Sequence, residues 1–596
     1  MTRIVLVRSA RALLVGAFVS ISALWSGSPA AIAESPSSGP AFSAPRMMPA
    51  TQAPVVQPPV RIPSAAAPSL GAQGLSGSPA AQNSAIASAL EKGQDLESQR
   101  RWGEAFALYE DTVRQNFGQS QPELEQRLDI AKMHFDIGRR YADASFRRSA
   151  TSLGDSDALA MFTDAANKLQ AHYVQNPDWA GLVNRGTADL EIAISEQPFQ
   201  ENNLGQANAD RAAQFLRDLR KQQAQHPVRS VNDARNAVWN AGQMAQVYLG
   251  LRPAATMLEF TAAMLGGLDE YSAFLTGGQL NDLYSQIEGN FVGLGVELKS
   301  SDGALLIVNV IHNSPAERGG IKPGDRITSV AGRSTADVNT DKAAEMLQGP
   351  EGSVAQLTVV TGDEPARQLS IRREHVDVSS VDEVKIIDRD FAVGYFKLTC
   401  FQKTTSQDVD RALRQLRADG MRSLVIDLRG NPGGLLTAAV EVAEKFVDSG
   451  TIVSTRGRSA GEDYNYQAHG TGQWRMPLVV LIDGDSASAA EILAGALRDY
   501  RRAQIVGTRS YGKGSVQGIF PLSVGGAGVR LTTAKFYSPL GKPFAHIGVD
   551  PDPDYKVQTV AKPLDGRIAL PVSTSTADDA IFNAGLQAAR RLVAQR

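Results

Sequence analysis

Five consecutive aliphatic residues, Leu478 to Ile482, end in the turn Asp483-Gly484-Asp485 and run on into a helix that opens at Ala489. An unbroken run of this kind suits a strand buried on both faces, which requires a sheet with helices covering each side. Ser488 falls at the expected N-cap of the helix, with Glu491 three residues on as its reciprocal capping partner. S-x-x-E before an apolar helix is most often a capping box and nothing more. The same position also offers unpaired backbone N–H groups and the positive end of the helix dipole, both of which stabilise a developing oxyanion.

A serine hydroxyl needs a base, and no histidine lies between His469 and His546. Lys513, held between Gly512 and Gly514, is the nearby candidate, with Ile505, Val506, Val516, Ile519 and Phe520 as apolar neighbours in sequence. Deprotonating an ordinary lysine, of pKa about 10.4, costs roughly 4 to 5 kcal/mol at neutral pH unless burial lowers that pKa. A G-K-G triplet by itself is far more often a solvated lysine in a turn.

Three fragments change the balance: S-A-S-A-A-E-I at Ser486 to Ile492, D-Y-R-R-A at Asp499 to Ala503, and G-T-R-S-Y-G-K-G-S-V-Q at Gly507 to Gln517. Together they resemble the signature of the C-terminal processing (tail-specific) serine peptidases. In that family the nucleophile precedes the lysine by 25 residues, the spacing of Ser488 and Lys513, so the resemblance selects Ser488 over Ser486. It further implies that Lys513 is the general base, that Gln517 orients it, and that Asp499 and Glu491 are supportive. Ala490 departs from the family pattern, where many members carry serine, without touching the chemistry. The oxyanion donors implied are the amide of Ala489 and that of Gly433 or Gly434. The two glycines lie in D-L-R-G-N-P-G-G, Asp427 to Gly434, after the apolar strand Ser423 to Ile426.

Upstream, F-V-G-L-G-V-E-L at Phe291 to Leu298 and N-S-P-A-E-R-G-G-I-K-P-G-D-R-I at Asn313 to Ile327 resemble a PDZ domain of the type inserted in these peptidases. Gly293, Leu294, Gly295 and Val296 would turn successive N–H groups toward a chain-terminal carboxylate, while the next strand pairs with the peptide. Shorter fragments at 268–275, 394–401, 531–541 and 548–552 extend the likeness over roughly residues 228 to 565.

The resemblance, together with the composition and periodicity of the segments before it, implies a multidomain α+β chain. It would comprise an N-terminal helical, TPR-like domain, a PDZ domain of β-sandwich or barrel-like form, and an α/β peptidase core of crotonase-like ββα type. The expected boundaries are a signal peptide over 1–33 and a Pro/Ala/Ser-rich disordered tether over 34–85. A helical domain follows over 86–225, then an N-terminal helical part of the peptidase (226–285), the PDZ domain (286–373), the peptidase core (374–565) and a helical tail (566–596). The signal reading rests on Arg3, Arg8 and Arg11, the apolar run Ala12 to Trp25, and A-I-A at Ala31 to Ala33. It predicts export to a periplasm or cell envelope, with membrane anchoring if cleavage fails. Gly93, Ala105 and Tyr109 match one tetratricopeptide-like helix pair, with no clean second repeat. That region is assigned to an adaptor contact or to self-association.

A formal net charge of −3 and the lack of a basic tract argue against nucleic acid as a partner. A single cysteine, Cys400, allows no intrachain disulfide, and is expected to be a buried inert thiol. No metal or cofactor is expected. The reading is a serine endopeptidase acting on flexible protein C-termini. Its alternatives are a catalytically silent PDZ and helical scaffold, or a hydrolase using a distant histidine such as His546.

Overall fold

The computed structural model describes residues 79–116, 121–205, 209–301, 304–336, 346–362, 364–470, 472–557 and 579–595. The signal segment and most of the tether lie outside them. Among the described residues the chain divides into two units, one up to Lys132 and one from Met133 onward.

In the first unit the helices Pro79–Ser98 and Trp102–Gln115 form a hairpin. Gly93 is needed at its centre, because a Cβ there would stand 2.2 Å from the Tyr109 ring. Ala105 and Tyr109 are both fully buried, and the Tyr109 hydroxyl donates to Glu97 at 2.6 Å. The first helix opens at Pro79, inside the stretch assigned to the tether. Proline is tolerated at a first helical position, where its missing N–H is not required.

The second unit is built on a five-stranded sheet in the order Val381–Asp388, Val393–Leu398, Ser423–Asp427, Leu478–Ile482, Gln504–Gly507. The first pair is antiparallel and the remaining pairs are parallel. Along the central strands alternate residues face different cores. Leu424, Ile426, Leu478, Val480 and Ile482 pack with the helices Thr405–Ala418, Leu436–Glu444 and Ala489–Asp499. Val425, Val479 and Leu481 pack against the helix Ala580–Ala594. Burial on both faces is why these strands read as unbroken apolar runs.

That last helix is part of the core rather than a tail. Gly585 lies so close to Leu481 that a Cβ would stand 2.3 Å from it. Asp579 caps the helix by accepting from Phe582 N–H and grips the Arg429 guanidinium through both carboxylate oxygens, at 2.7 and 2.6 Å. Arg429 in turn pairs with buried Asp427, which also accepts from the Tyr395 hydroxyl at 2.9 Å. Asp579→Ala should therefore lower unfolding stability by about 1–3 kcal/mol, measured in urea, by stripping Arg429 of one of its two carboxylates.

A second sheet follows the order Ala273–Leu275, Gly528–Tyr537, Ser449–Gly457, Tyr464–His469, with Ser515–Pro521 also paired to Gly528–Tyr537. Helices from Met133 onward, through Pro253–Gly266, share one core with Leu522, Ala527, Val529 and Leu531 of this sheet. Packing is continuous across residue 225, so the expected boundary there separates nothing in the core. Helical periodicity alone could not reveal it, since both segments carry the same pattern.

The PDZ segment forms a sheet ordered Val296–Ser301, Ala304–Val310, Asp325–Val330, Val354–Thr361, Arg367–Arg372, with Arg333–Ser334 joined to the third strand. It is entered and left through an antiparallel pair, Asn290–Gly293 with Glu374–Asp377.

Candidate active site

The two loops of interest follow neighbouring parallel strands, with Asp427 opposite Leu481, so both emerge at the same sheet edge. Ligand sites in open α/β sheets lie at such carboxyl ends. Asn431, fully buried, ties the loops together. Its carbonyl accepts from Ala487 N–H at 2.9 Å, its Oδ1 accepts from Gly433 N–H at 2.7 Å, and its Nδ2 donates to Leu398 O at 2.7 Å.

Ser486 and Ser488 part company here. The Ser486 hydroxyl is spent on structure, donating to Leu428 O at 2.9 Å and accepting from Asp483 N–H at 2.9 Å. Ser488 caps the helix Ala489–Asp499 with φ 55° and ψ −110°, a conformation disfavoured for any residue with a side chain. Strain of this kind costs about 1–3 kcal/mol and tends to occur at functional turns.

Glu491 is fully buried and does far more than cap. Its Oε2 accepts from the N–H groups of Ser488 (2.7 Å) and Lys513 (2.9 Å), and its Oε1 from Gly512 N–H (2.7 Å) and the Ser510 hydroxyl (2.6 Å). One carboxylate thus bolts the serine turn to the lysine loop. Burial pushes this carboxyl up to about 7, against the pull of its four donors. Gly512 and Gly514 let the segment 544–546 lie flush on that loop. A Cβ on Gly514 would stand 2.1 Å from Ala545 N, and Gly512 has φ 90°.

Lys513 is 2% exposed, and burial, with Arg530 as a second cause, holds its ammonium well below the ordinary range. The expected solvated-turn alternative does not describe it. Gln517 is buried in the strand Ser515–Pro521, but its amide nitrogen donates to Ser515 Oγ at 2.9 Å, and its Oε1 has no hydrogen-bond partner among the described residues. The expected hydrogen bond to Lys513 is absent from this arrangement. Asp499 lies at the opposite end of the serine helix, where it meets Arg498 and Leu540 N–H. Its support is to the loop around Leu540.

Of the two glycines, Gly433 has its N–H engaged by Asn431, whereas Gly434 N–H donates to no acceptor among the described residues. Gly434 has φ 144°, and a Cβ on it would stand 1.9 Å from Phe401 O. Ala489, first in its helix, has no intrahelical acceptor for its N–H. Cys400 is half-buried beyond the end of its strand, accepting from Gln402 Nε2 at 3.1 Å, not buried within it. His546 is exposed, and its backbone N–H donates to Gly512 O at 2.8 Å. No cluster of metal-ligating side chains occurs among the described residues.

In the PDZ segment Leu294 and Val296 turn their side chains into the core. The carbonyls of Leu294 and Gly295 accept from Ala316 and Ile311 N–H, and Gly295 has φ 80°. The following strand, Val296–Ser301, is paired on one side only, with Ala304–Val310.

Asn431, Ser510 and Tyr271 were missed as site residues. Each lies inside a quoted fragment, but only the folded chain shows that they face the loops of Ser488 and Lys513.

A strained serine at a helix N-terminus thus lies at the carboxyl end of an α/β sheet, with a glycine loop beside it and a buried lysine tied to the same glutamate. The model of Peptidase family S41 matches residues 392–555 and that of the PDZ domain matches 306–361. The carboxy-terminal-processing protease of Bartonella bacilliformis is 37% identical over 295 residues, 48% of this chain and 67% of that protein. The carboxyl-terminal-processing protease of Synechocystis is 35% identical over 320 residues, 53% of this chain and 73% of that one. Among solved structures, the photosystem II D1 C-terminal processing protease is 25% identical, covering 67% of this chain and 93% of that one at a TM-score of 0.34. The chain belongs to the carboxyl-terminal-processing peptidase family and is a serine-type peptidase carrying a PDZ domain.

Proposed function

We propose that Ser488 is the nucleophile, Lys513 its general base, and the amides of Ala489 and Gly434 the oxyanion donors, in an exported peptidase that processes flexible protein C-termini. The observation that carries this reading is the shared Glu491 oxygen, which holds the backbones of Ser488 and Lys513 side by side. Ser488 Oγ attacks the scissile carbonyl as its proton passes to Lys513 Nζ, and the proton then goes to the leaving amine. Gly434 is favoured over Gly433 because the Gly433 N–H is already engaged.

A substrate C-terminus would add as a strand to the unpaired edge of Val296–Ser301, its carboxylate on the amides of residues 293–296. Gln517, whose Oε1 is unsatisfied, would turn to meet Lys513 once substrate is bound. The crotonase-like description of the core rests on its sequential parallel strands and crossover helices. The Gly93–Tyr109 hairpin supports a TPR-like reading of the first unit, as a place for an adaptor or for self-association. Export to the envelope rests on the basic and apolar start of the chain alone.

A fluorophosphonate probe followed by peptide mapping tests the nucleophile. Labelling at Ser488, abolished by Ser488→Ala and unaffected by Ser486→Ala in folded protein, is the expected result, and labelling at any other serine would refute it. Gly434→Ala should reduce kcat by about 10²- to 10³-fold, as loss of an oxyanion donor does, because the loop must move off Phe401. Unchanged kcat in a folded variant would remove Gly434 from the site.

A further inference from the structure

Tyr271 precedes the PDZ segment in the chain, yet its ring lies against Lys513, with the ring centroid 4.5 Å from Nζ. Its backbone is fixed from several directions. Asp269 Oδ1 accepts from Tyr271 N–H at 2.8 Å and from Ser272 N–H at 2.6 Å. Arg530 Nε donates to the Tyr271 carbonyl at 2.7 Å, and Thr532 N–H donates to Ser272 Oγ at 3.2 Å. The strand Ala273–Leu275 then pairs with Gly528–Tyr537, Ala273 opposite Arg530, and Gly528–Tyr537 pairs on its other side with Ser515–Pro521. A single three-stranded register therefore sets the ring against the lysine. Burial pushes the Tyr271 phenol well above its ordinary range, so the ring stays neutral.

Resting on the Ser488/Lys513 reading, we propose that Tyr271 belongs to the proton-transfer site: its ring seals Lys513 Nζ from water and presents its π face to the ammonium formed during turnover. As the Ser488 Oγ to carbonyl carbon bond forms, the Oγ–H bond breaks and Nζ takes the proton. As the C–N bond breaks, Nζ returns that proton to the leaving amine nitrogen. Nζ is thus neutral, cationic and neutral again within each acylation. An apolar wall favours only the neutral form, whereas an aromatic face excludes water and also attracts the cation. Other charged groups facing Lys513 include Arg530 from the strand Gly528–Tyr537, Asp269 and Glu270 from the loop that carries Tyr271, and Glu491 from the serine helix. Glu270 is also a hydrogen-bond partner of the Tyr271 hydroxyl, so Tyr271→Phe, which keeps the ring and loses that bond, separates the ring from the hydroxyl.

The test is a set of pH–rate profiles on the full chain with a fluorogenic peptide, for wild type, Tyr271→Phe, Tyr271→Leu and Lys513→Ala, with thermal midpoints to verify folding. Tyr271→Phe keeps the ring and should stay within about threefold of wild type in kcat. Tyr271→Leu, apolar but smaller than the ring, removes both the π face and part of the seal, and should lose about tenfold or more in kcat at unchanged KM, at least the size of a desolvated cation–π contact. Its acid limb should move to lower pH, because the ammonium has lost a partner. Should Tyr271→Leu unfold, Tyr271→Met makes the same comparison. A leucine or methionine variant with the kcat and acid limb of Tyr271→Phe overturns the role of Tyr271, and if Lys513→Ala is then inactive, the dyad itself stands. A Lys513→Ala variant that still turns over overturns both.

Discussion

Lys513→Met is expected to reduce peptide cleavage by about 10²- to 10⁴-fold, the range of general acid–base catalysis, while raising the thermal midpoint of the protein. The two effects have one cause. A lysine 2% exposed, beside Arg530, has its ammonium disfavoured by burial at the expense of folding, and methionine fills similar space without a charge to desolvate. The folded chain binds fewer protons at this site than the unfolded chain. Wild-type stability should therefore rise with pH up to the unfolded lysine pKa of about 10.4, and this slope should vanish in the methionine variant. Progress curves on an unfolded protein substrate, with melting curves taken across pH, check both halves. A variant that cleaves at near wild-type rate would place the base elsewhere. One that loses activity and also melts earlier would mean that Lys513 supports the fold.

Glu491→Gln should be nearly as damaging, for a reason that its apparent conservatism hides. Each carboxylate oxygen already accepts from two donors, so whichever way the amide is turned, its NH2 group faces two of them. Two buried donors left unsatisfied cost about 2–6 kcal/mol, a large share of a typical stability of about 5–15 kcal/mol. The displaced loops should lower kcat by about 10²-fold or more, since small misplacements of reacting groups are costly. In wild type, proton uptake by this carboxyl below about pH 7 removes one acceptor from the same junction, and kcat should fall on that side. Urea unfolding beside kcat measures both terms. Asp499→Asn, at the far end of the same helix, is the control and should leave kcat within about threefold, as expected of a side chain remote from the reacting groups.

The strand–turn–helix around Ser488 was readable because local rules govern it: an apolar run, a turn, an N-cap and a partner three residues on. The choice of Ser488 over Ser486 came from spacing within a family pattern, and the folded chain adds a physical reason, the hydroxyl of Ser486 being occupied by Leu428 and Asp483. The wider role of Glu491 was invisible, since the capping pattern accounts for its bond to Ser488 and says nothing of Gly512, Lys513 or Ser510. Tyr271 and Asp579 were out of reach for a related reason. Both act across long separations in the chain, through sheet register in one case and helix docking in the other, and neither leaves a periodic trace. At Gln517 the position matches the pattern, and the side chain rests on Ser515 with its Oε1 unpartnered among the described residues.

Asn290 stands opposite Asp377 and Gly293 opposite Glu374 where the chain enters and leaves the PDZ segment. Its two ends are therefore adjacent in space although some eighty residues lie between them. A gap so narrow can be closed by a short turn without reopening the peptidase sheets. The module is thus attached as an interchangeable cassette is, and the same doorway would accept a different recognition domain, or none, while the catalytic body kept its register.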